Sequence, residues 1–333
     1  MAKYIIKRLL LAVFILFGVS IILYALIRLM PVDIIESKFI NANTDNVEEA
    51  RAKIRLVLVQ YGLDDSSFLG ILKGYWTWLF NVFQGNLGVS FKFNADVSTV
   101  IVEHMGISFI ISFIALIFEM IIAIPLGVKC ACSQYGKLDY VITVLCMIGM
   151  AFPSFFLGNL FIKWFALDLH WFEIGGLTSL NLPTDASGFT RIMDTLWHMV
   201  LPMTVLVLLS VGSLMRYTRT NTLEVLNADY IRTARAKGLS EGKVVYKHVF
   251  RNTMIPLVTQ LSFTLPSLFG GAMITEEVFA IPGIGQVAYQ ALAEGDIFLA
   301  MGYNMFIAIL TVIGILLADL MYAVVDPRVK LAG

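Results

Sequence analysis

The sequence predicts an all-α integral membrane protein with six transmembrane helices, cytoplasmic N- and C-termini and a long first outer loop. Composition, six long apolar runs and the placement of lysine and arginine all lead to this fold class. Of the 333 residues, 58% are hydrophobic and only 14% are charged, and the mean hydropathy is +0.81. A soluble domain of this size cannot bury such a proportion of apolar side chains.

The apolar runs give the number of spans, because a helix that crosses a bilayer needs about 20 mostly apolar residues. Six stretches meet this requirement: residues 9–29, 106–128, 140–166, 199–218, 257–279 and 299–325. The first run follows Lys3, Lys7 and Arg8, as in a signal peptide. It is too long for the apolar region of a signal peptide and no clear cleavage site follows, so we interpret it as an uncleaved transmembrane helix.

Lysine and arginine mark the cytoplasmic ends of the spans, because cytoplasmic loops of membrane proteins are enriched in these residues. The basic residues on one side are Lys3, Lys7, Arg8, Lys129, Lys137, Arg216, Arg219, Arg232, Arg235, Lys237, Lys243, Lys247, Arg251, Arg328 and Lys330. Both termini are therefore predicted to be cytoplasmic.

The predicted organisation has four parts: an N-terminal transmembrane helix (1–29), an outer loop (30–105), a core of five transmembrane helices (106–326) and a cytoplasmic tail (327–333). Within the outer loop, residues 47–61 have the alternation of apolar and charged positions that is typical of an amphipathic helix. Residues 75–90 carry Trp76, Trp78 and Phe80, which suit a segment in the membrane interface. A lid packed on the outer face of the protein is an equally good interpretation of the outer loop.

The basic cytoplasmic loop of the core, residues 219–256, contains a segment that predicts two short helices. Asn227 can cap the first helix, Asp229 lies in its opening turn, and Gly238 can end it. Ser240 can begin the second helix. Small residues that would let another backbone approach are surrounded by cations; the small residues are Thr233, Ala234 and Ala236, and the cations are Arg232, Arg235 and Lys237.

The order of residues in this loop is more specific than its composition. TARAKGL at 233–239, followed by KHVFRNTMIP at 247–256, resembles the coupling-loop signature of bacterial ABC-transporter permeases, and most closely the oligopeptide/dipeptide/nickel family. YGLD at 61–64, FPSF at 152–155, VFAIPGIGQ at 278–286 and DPR at 326–328 match the same family in order. The resemblance extends over nearly the whole chain.

The resemblance implies the type I ABC importer permease fold and an assembly with four kinds of partner. These are membrane lipid, a second homologous permease subunit, two ATP-binding subunits and an extracytoplasmic solute-binding protein. It also implies that the loop transmits motion from the ATP-binding subunits. The matching positions are Asp229, Tyr230, Arg232, Thr233, Ala234, Arg235, Ala236, Lys237, Gly238 and Leu239.

Motifs for chemistry do not favour an enzyme. The glycines at 238–243 resemble a phosphate-binding loop, but their spacing is one residue short, and Val244 cannot ligate magnesium. We therefore expect the chain to bind no cofactor and ATP and Mg²⁺ to bind the partner subunits. The three cysteines and four widely spaced histidines predict neither a disulfide framework nor a metal site. The formal net charge of zero predicts no nucleic-acid binding.

Candidate pathway residues lie in two spans. Glu119 falls near the middle of the second span, where a carboxylate must face protein or water. It either lines the substrate path or has a structural role, protonated or bonded to a Ser or Thr of a neighbouring helix. The fifth span offers the polar residues Gln260, Ser262, Thr264, Ser267 and Thr275, and the candidate hinge residues of the third and fifth spans are Pro153, Pro266, Gly270 and Gly271. Helix packing alone could also explain the small and polar residues.

We therefore expect one of two membrane subunits of an ATP-driven importer, with oligopeptides or dipeptides as the first choice of substrate. Nickel chelates and other solutes remain alternatives within the family. An ion-gradient-driven secondary transporter or channel is the alternative outside it, and paired intramembrane charges or an inverted repeat would favour that function. A membrane scaffold without transport activity is a further alternative.

Overall fold

The computed structural model describes residues 2–29, 55–56, 59, 61–63, 65 and 67–325. Its α-helices are α1 (Ala2–Leu29), α2 (Phe68–Phe83), α3 (Val97–Cys132), α4 (Lys137–Ala151), α5 (Ser154–Phe161), α6 (Gly188–Leu226), α7 (Asp229–Ala236), α8 (Glu241–Lys243), α9 (Phe250–Gly270), α10 (Met273–Val278), α11 (Ile284–Glu294) and α12 (Ile297–Val325). Two π-helical segments, Ile162–Asp168 and Val244–Val249, follow α5 and α8. A two-residue antiparallel hairpin pairs β1 (Val89–Ser90) with β2 (Ala95–Asp96).

The helices account for the predicted spans, with two differences. Within the described residues, four helices are long and apolar enough to cross a membrane: Ile6–Leu29, Val97–Cys132, Gly188–Leu226 and Ile297–Leu317. The third and fifth predicted spans are bent pairs instead, Lys137–Ala151 with Ser154–Asp168 and Glu241–Leu261 with Pro266–Val278. Counting each bent pair as one span gives up to six.

The break in the third span is at Pro153, where the two helices differ in direction by 96°. Phe152 before it adopts an extended conformation with ψ 135°, as expected for a residue that precedes proline. The proline also has no N–H for the helical ladder, so α4 ends there and α5 begins after it. The sequence predicted one continuous helix over 140–166, and the structure corrects this.

The chain divides into two compact units, of which the first contains residues 1–108, 269–273 and 283–316. Its core includes Tyr61, whose ring lies 4.8 Å from that of Phe298. The Tyr61 hydroxyl donates to Oδ1 of Asn86 at 2.8 Å. Tyr61 of the outer loop is therefore packed in the core of its own unit. The predicted amphipathic helix at 47–61 lies mostly outside the described residues.

Asp296 joins the β-hairpin to the start of α12 within the first unit. Its Oδ2 accepts the Ser90 hydroxyl at 2.6 Å and the Lys92 backbone N–H at 3.1 Å. Its Oδ1 accepts the N–H of Leu299 at 3.2 Å in the first turn of α12. The residue is only 3% exposed, so each of these bonds satisfies a group that has little access to water.

The second unit contains residues 109–268, 274–282 and 317–333. Its main apolar core joins buried side chains of α3, α6 and α9, among them Ala123, Val211, Met215 and Leu257. Close packing of α4 on α6 is possible because Gly212 carries no side chain where Met150 and the backbone of Cys146 approach. This unit carries the basic loop, whose first residues form the end of α6.

Candidate functional site

The first part of the predicted loop, residues 219–226, belongs to α6, and helix α7 begins one residue later than the sequence predicted. Helix α6 continues to Leu226, and Asn227 forms its C-cap in an αR conformation, with Nδ2 donating to the Leu223 carbonyl at 3.0 Å. Ala228, in an extended conformation, is the N-cap of α7. The prediction that Asn227 caps α7 was therefore wrong, because its amide group already bonds to the preceding helix.

The predicted end of α7 at Gly238 is confirmed. Gly238 has φ +78°, a left-handed conformation that favours glycine. Its N–H donates to the Arg235 carbonyl at 2.9 Å, and the N–H of Leu239 donates to the Ala234 carbonyl at 3.5 Å. These two bonds form a Schellman motif, which satisfies the last carbonyls of the helix and turns the chain sharply towards α8. Ser240 is the N-cap of α8, also as predicted.

A small apolar cluster holds α7 against the segment that follows it. Ile231, Val244 and Val249 are each 0% exposed, and Ala234 is 8% exposed. Val225 and Leu226 from the end of α6 pack against them. The sequence pattern predicted Ala234 on a surface for a partner, but its methyl group faces this cluster. Its small size therefore serves the packing of the loop on itself.

The exposed side of α7, here called the docking face, consists of Tyr230, Arg232, Thr233, Ala236 and Lys237. The Tyr230 ring is 50% exposed. The Arg232 guanidinium lies 3.7 Å from the Asp229 carboxylate in an exposed pair. Within the described part of the chain, no ion pair is formed by Lys237. The docking face thus combines two small residues and an aromatic ring with two exposed cations, Arg232 and Lys237.

Arg235 lies at the edge of this face, where its charge is partly neutralised. Its Nε donates to Oε1 of Glu241 at 2.8 Å and its Nη2 to Oε2 at 3.3 Å. The pair connects the last turn of α7 to α8 across the turn at Gly238. Arg235 was predicted to face a partner, and it also connects two helices of its own loop.

A second arginine–carboxylate pair, which the sequence analysis missed, connects α4 to α6 near the loop. Arg219 donates from Nε and Nη2 to the two carboxylate oxygens of Asp139, both at 2.7 Å. Asp139 is 4% exposed and also accepts the backbone N–H of Tyr135 at 3.0 Å. The partners are 80 residues apart in sequence, so no local pattern could reveal them.

Glu119 has the kind of contact that its structural interpretation expects. Its half-buried carboxyl group on α3 lies close to the side chain of Ser210 on α6, whose hydroxyl donates to the Val207 carbonyl at 3.3 Å. A carboxyl group within a membrane span requires such a polar neighbour or water. The contact makes a structural role sufficient to explain this residue, and a role in the path remains a prediction.

The polar residues of the fifth span do not share one environment. Gln260 and Ser267 are exposed, Thr264 is half-buried, and Thr275 is 4% exposed in α10. Thr264 and Ser267 donate their hydroxyls to backbone carbonyls within α9, Leu261 and Thr264 respectively. The side chain of Ser262 is outside the described residues. These intrahelical bonds use the hydroxyl hydrogens, while each hydroxyl oxygen keeps its capacity to accept a hydrogen bond.

The candidate hinge residues of the fifth span lie at or near the end of α9. Pro266 is inside α9, which ends at Gly270. Gly271 follows with φ +74°, before α10 begins. The predicted breaks at Pro153 and at the glycine pair therefore coincide with helix ends, and whether they move is a separate prediction.

Comparison with known proteins identifies the family. The profile of the family described as "Binding-protein-dependent transport system inner membrane component" matches residues 123–331. This chain belongs to that family of transport permeases. The permease is thus a multi-pass protein of the bacterial inner membrane, as its apolar helices and cytoplasmic basic loop predicted.

Similarity to individual permeases extends over the full length. The permease is 35% identical over 335 residues to the oligopeptide transport system permease protein AppB of Bacillus subtilis, covering 99% of this chain and 100% of that protein. It is 30% identical over 347 residues to the dipeptide transport system permease protein DppB of Alkalihalophilus pseudofirmus, with 99% and 100% covered. The first unit and the outer loop are therefore part of what these proteins share.

Among solved structures, the permease is similar to a chain of the MetNI methionine ABC transporter in an inward-facing conformation. The TM-score is 0.51 at 18% identity, and the match covers 68% of the permease and 96% of that chain. At this identity the likeness concerns the fold alone. It confirms the all-α type I importer permease fold.

Proposed function

We propose that this permease is one of two membrane subunits of an ATP-driven importer for oligopeptides or dipeptides. The observation that carries the proposal is the end-to-end similarity to AppB, whose name states oligopeptide transport. The substrate path would lie between this chain and a second, homologous permease. A solute-binding protein would deliver the peptide from outside, and two ATP-binding subunits would supply the energy.

The geometry of the loop supports a mechanical connection to the ATP-binding subunits. The docking face is exposed, while the opposite side of α7 is fixed by the buried cluster of Ile231, Ala234, Val244 and Val249. A push on the docking face would therefore move α7 together with the end of α6. The Asp139–Arg219 pair would carry that displacement to α4. Nucleotide state and helix positions would be linked as two coupled equilibria.

An acidic substitution on the docking face tests this function. In proteoliposomes that contain both permeases, both ATP-binding subunits and the solute-binding protein, we expect Ala236→Asp to reduce peptide uptake at least about ten-fold, a loss of about 1.4 kcal/mol in coupling. ATP hydrolysis should continue, because the nucleotide sites are on other chains. Uptake of a labelled peptide and release of phosphate are measured in the same vesicles.

The matched control is Gln134→Asp, which adds the same carboxylate to an exposed position in the turn between α3 and α4. It should leave both rates unchanged. Equal uptake by Ala236→Asp and the control would reject the role of α7. Uptake that needs an ion gradient and no ATP would reject the importer itself in favour of a secondary transporter.

A further inference from the structure

Helix α2 carries an apolar face that is not used by the core of its unit. Its members are Phe68, Leu69, Leu72, Trp76, Phe80 and Phe83, which are 77%, 76%, 45%, 59%, 63% and 81% exposed. Leu72, Trp76 and Phe80 follow at intervals of four residues, so they form one line along the helix. The other side of α2 is buried through Tyr75 and Trp78. We call these six exposed side chains the α2 stripe.

Contacts with α1, which is a membrane span, give the depth of the α2 stripe. At the C-terminal end of α1, Arg28 donates to the carbonyl of Gly62 at 2.6 Å. Further down, the Tyr24 ring lies 5.9 Å from Trp78. The Ser20 hydroxyl bonds to that of Tyr75 at 2.8 Å.

The deepest of these contacts is made by Trp76 of the stripe together with the buried Tyr75, whose ring lies 6.1 Å from that of Phe17. The ring of Phe17 on α1 lies 6.4 Å from that of Trp76. From Arg28 to Phe17 the helix descends about 16 Å at 1.5 Å per residue. The hydrocarbon layer of one leaflet is roughly 15 Å thick. Trp76 therefore reaches the depth of the acyl chains.

The surface of α1 beside Trp76 is also formed by apolar side chains. Leu10, Phe14 and Phe17 are 66%, 73% and 40% exposed in a span of an inner-membrane protein. The α2 stripe is continuous with this surface through the contact between Phe17 and Trp76. A water-soluble partner would have to enter the hydrocarbon layer to cover both.

A lysine borders the N-terminal half of the α2 stripe. Lys73 borders the same open groove as Trp76, Phe80 and Phe83, whose volume is about 650 Å³. Gly74, next to Lys73, lies against Gly62, whose carbonyl accepts a hydrogen bond from Arg28, so Lys73 lies towards the Arg28 end of α1. An ammonium group above a row of aromatic and aliphatic side chains complements a lipid phosphate above its acyl chains.

We infer that the α2 stripe binds phospholipid of the leaflet at the Arg28 end of α1. Acyl chains lie against Leu72, Trp76 and Phe80, and Lys73 holds an anionic headgroup. The outer loop is thereby anchored in the membrane beside α1 and does not move as a free lid. This inference does not depend on the substrate or the energy source of transport.

Tryptophan fluorescence of the full-length permease in nanodiscs tests the depth. The variant keeps Trp76 as its single tryptophan, with Trp78, Trp164, Trp171 and Trp197 changed to Phe. Bromines on lipid acyl chains should strongly quench the fluorescence of Trp76. The matched control keeps Trp78 alone, which is 3% exposed on the same helix. We expect at least twice as much quenching by brominated lipid at Trp76 as at Trp78. Quenching of Trp76 mainly by acrylamide in water would overturn the inference.

Crosslinking in the complete transporter extends the test to the assembled state. A phosphatidylglycerol with a diazirine on its acyl chain should label the α2 stripe and spare Tyr75 and Trp78. Lys73→Gln should reduce labelling by the phosphatidylglycerol probe at least two-fold, once that labelling is divided by the labelling from the same diazirine probe on phosphatidylcholine. Lys73→Arg should restore it. An unlabelled stripe would show that another membrane subunit covers it. Labelling that Lys73→Gln leaves unchanged would overturn the headgroup assignment.

Discussion

The two arginine–carboxylate pairs of the second unit differ chiefly in burial, and this difference predicts their contributions to stability. Both are held by two hydrogen bonds. In Asp139–Arg219 the side chains are 6% and 23% exposed, whereas in Glu241–Arg235 they are 66% and 41% exposed. Two opposite charges about 4 Å apart attract by about 4 kcal/mol at an effective dielectric constant of about 20, and by about 1 kcal/mol in water.

For Asp139–Arg219 we expect a coupling energy of about 2–3 kcal/mol, since desolvation offsets part of the attraction. For Arg235–Glu241 we expect about 0.2–1 kcal/mol, the range of exposed pairs. Asp139→Ala alone should cost about 3–5 kcal/mol because it leaves the Arg219 charge without its partner. Loss of the bond from Tyr135 is included in that cost.

Double-mutant cycles measure these values, with alanine at each position alone and at both together. The free energy of unfolding is obtained by titrating the purified permease with SDS in mixed micelles. The Arg235–Glu241 cycle is the internal control, because it changes the same chemical groups. Equal coupling energies for the two pairs, or a larger value for the exposed one, would refute the argument from burial.

Three further predictions use the same measurement of unfolding free energy. Gly238→Ala should cost about 1 kcal/mol because a side chain disfavours its positive φ, whereas Gly242→Ala, with equally open surroundings, should cost nothing or stabilise the helix. Glu119→Gln should change stability by less than about 0.5 kcal/mol, since the amide keeps the polar neighbour Ser210 and fills the same space; a larger loss would mean that the charge itself is needed. Asp296→Ala should cost about 2–4 kcal/mol through its three lost bonds, and a cost under about 1 kcal/mol would contradict that count.

The spans and the end of α7 could be predicted because their causes are local. A long apolar run needs no partner to show that it belongs in a bilayer. Gly238 directly follows the basic helix, and glycine is the residue that most readily adopts the left-handed conformation at a helix end. The break at Pro153 was also visible as a candidate hinge, but the 96° change of direction depends on what α4 and α5 pack against.

The contacts that fix the site are non-local, and so they were missed. Nothing near Asp139 in the sequence indicates Arg219, and nothing near Glu119 indicates Ser210. Even within the loop, composition showed which residues are small without showing which way they face. The apolar residues Val244 and Val249, several positions after Ala234, determine that it points inward.

The inward position of Ala234 changes how substitutions in this loop must be interpreted. A carboxylate at position 234 would lie among Ile231, Val244 and Val249, where it could not be solvated. Loss of uptake in Ala234→Asp would then follow from unpacking of the loop, even if α7 never touched another subunit. At position 236 the same carboxylate points into solvent and leaves the cluster intact. Only the exposed substitution therefore separates a loss of docking from a loss of folding. If Ala236→Asp abolishes uptake in a permease that is folded and assembled as before, α7 has a coupling role.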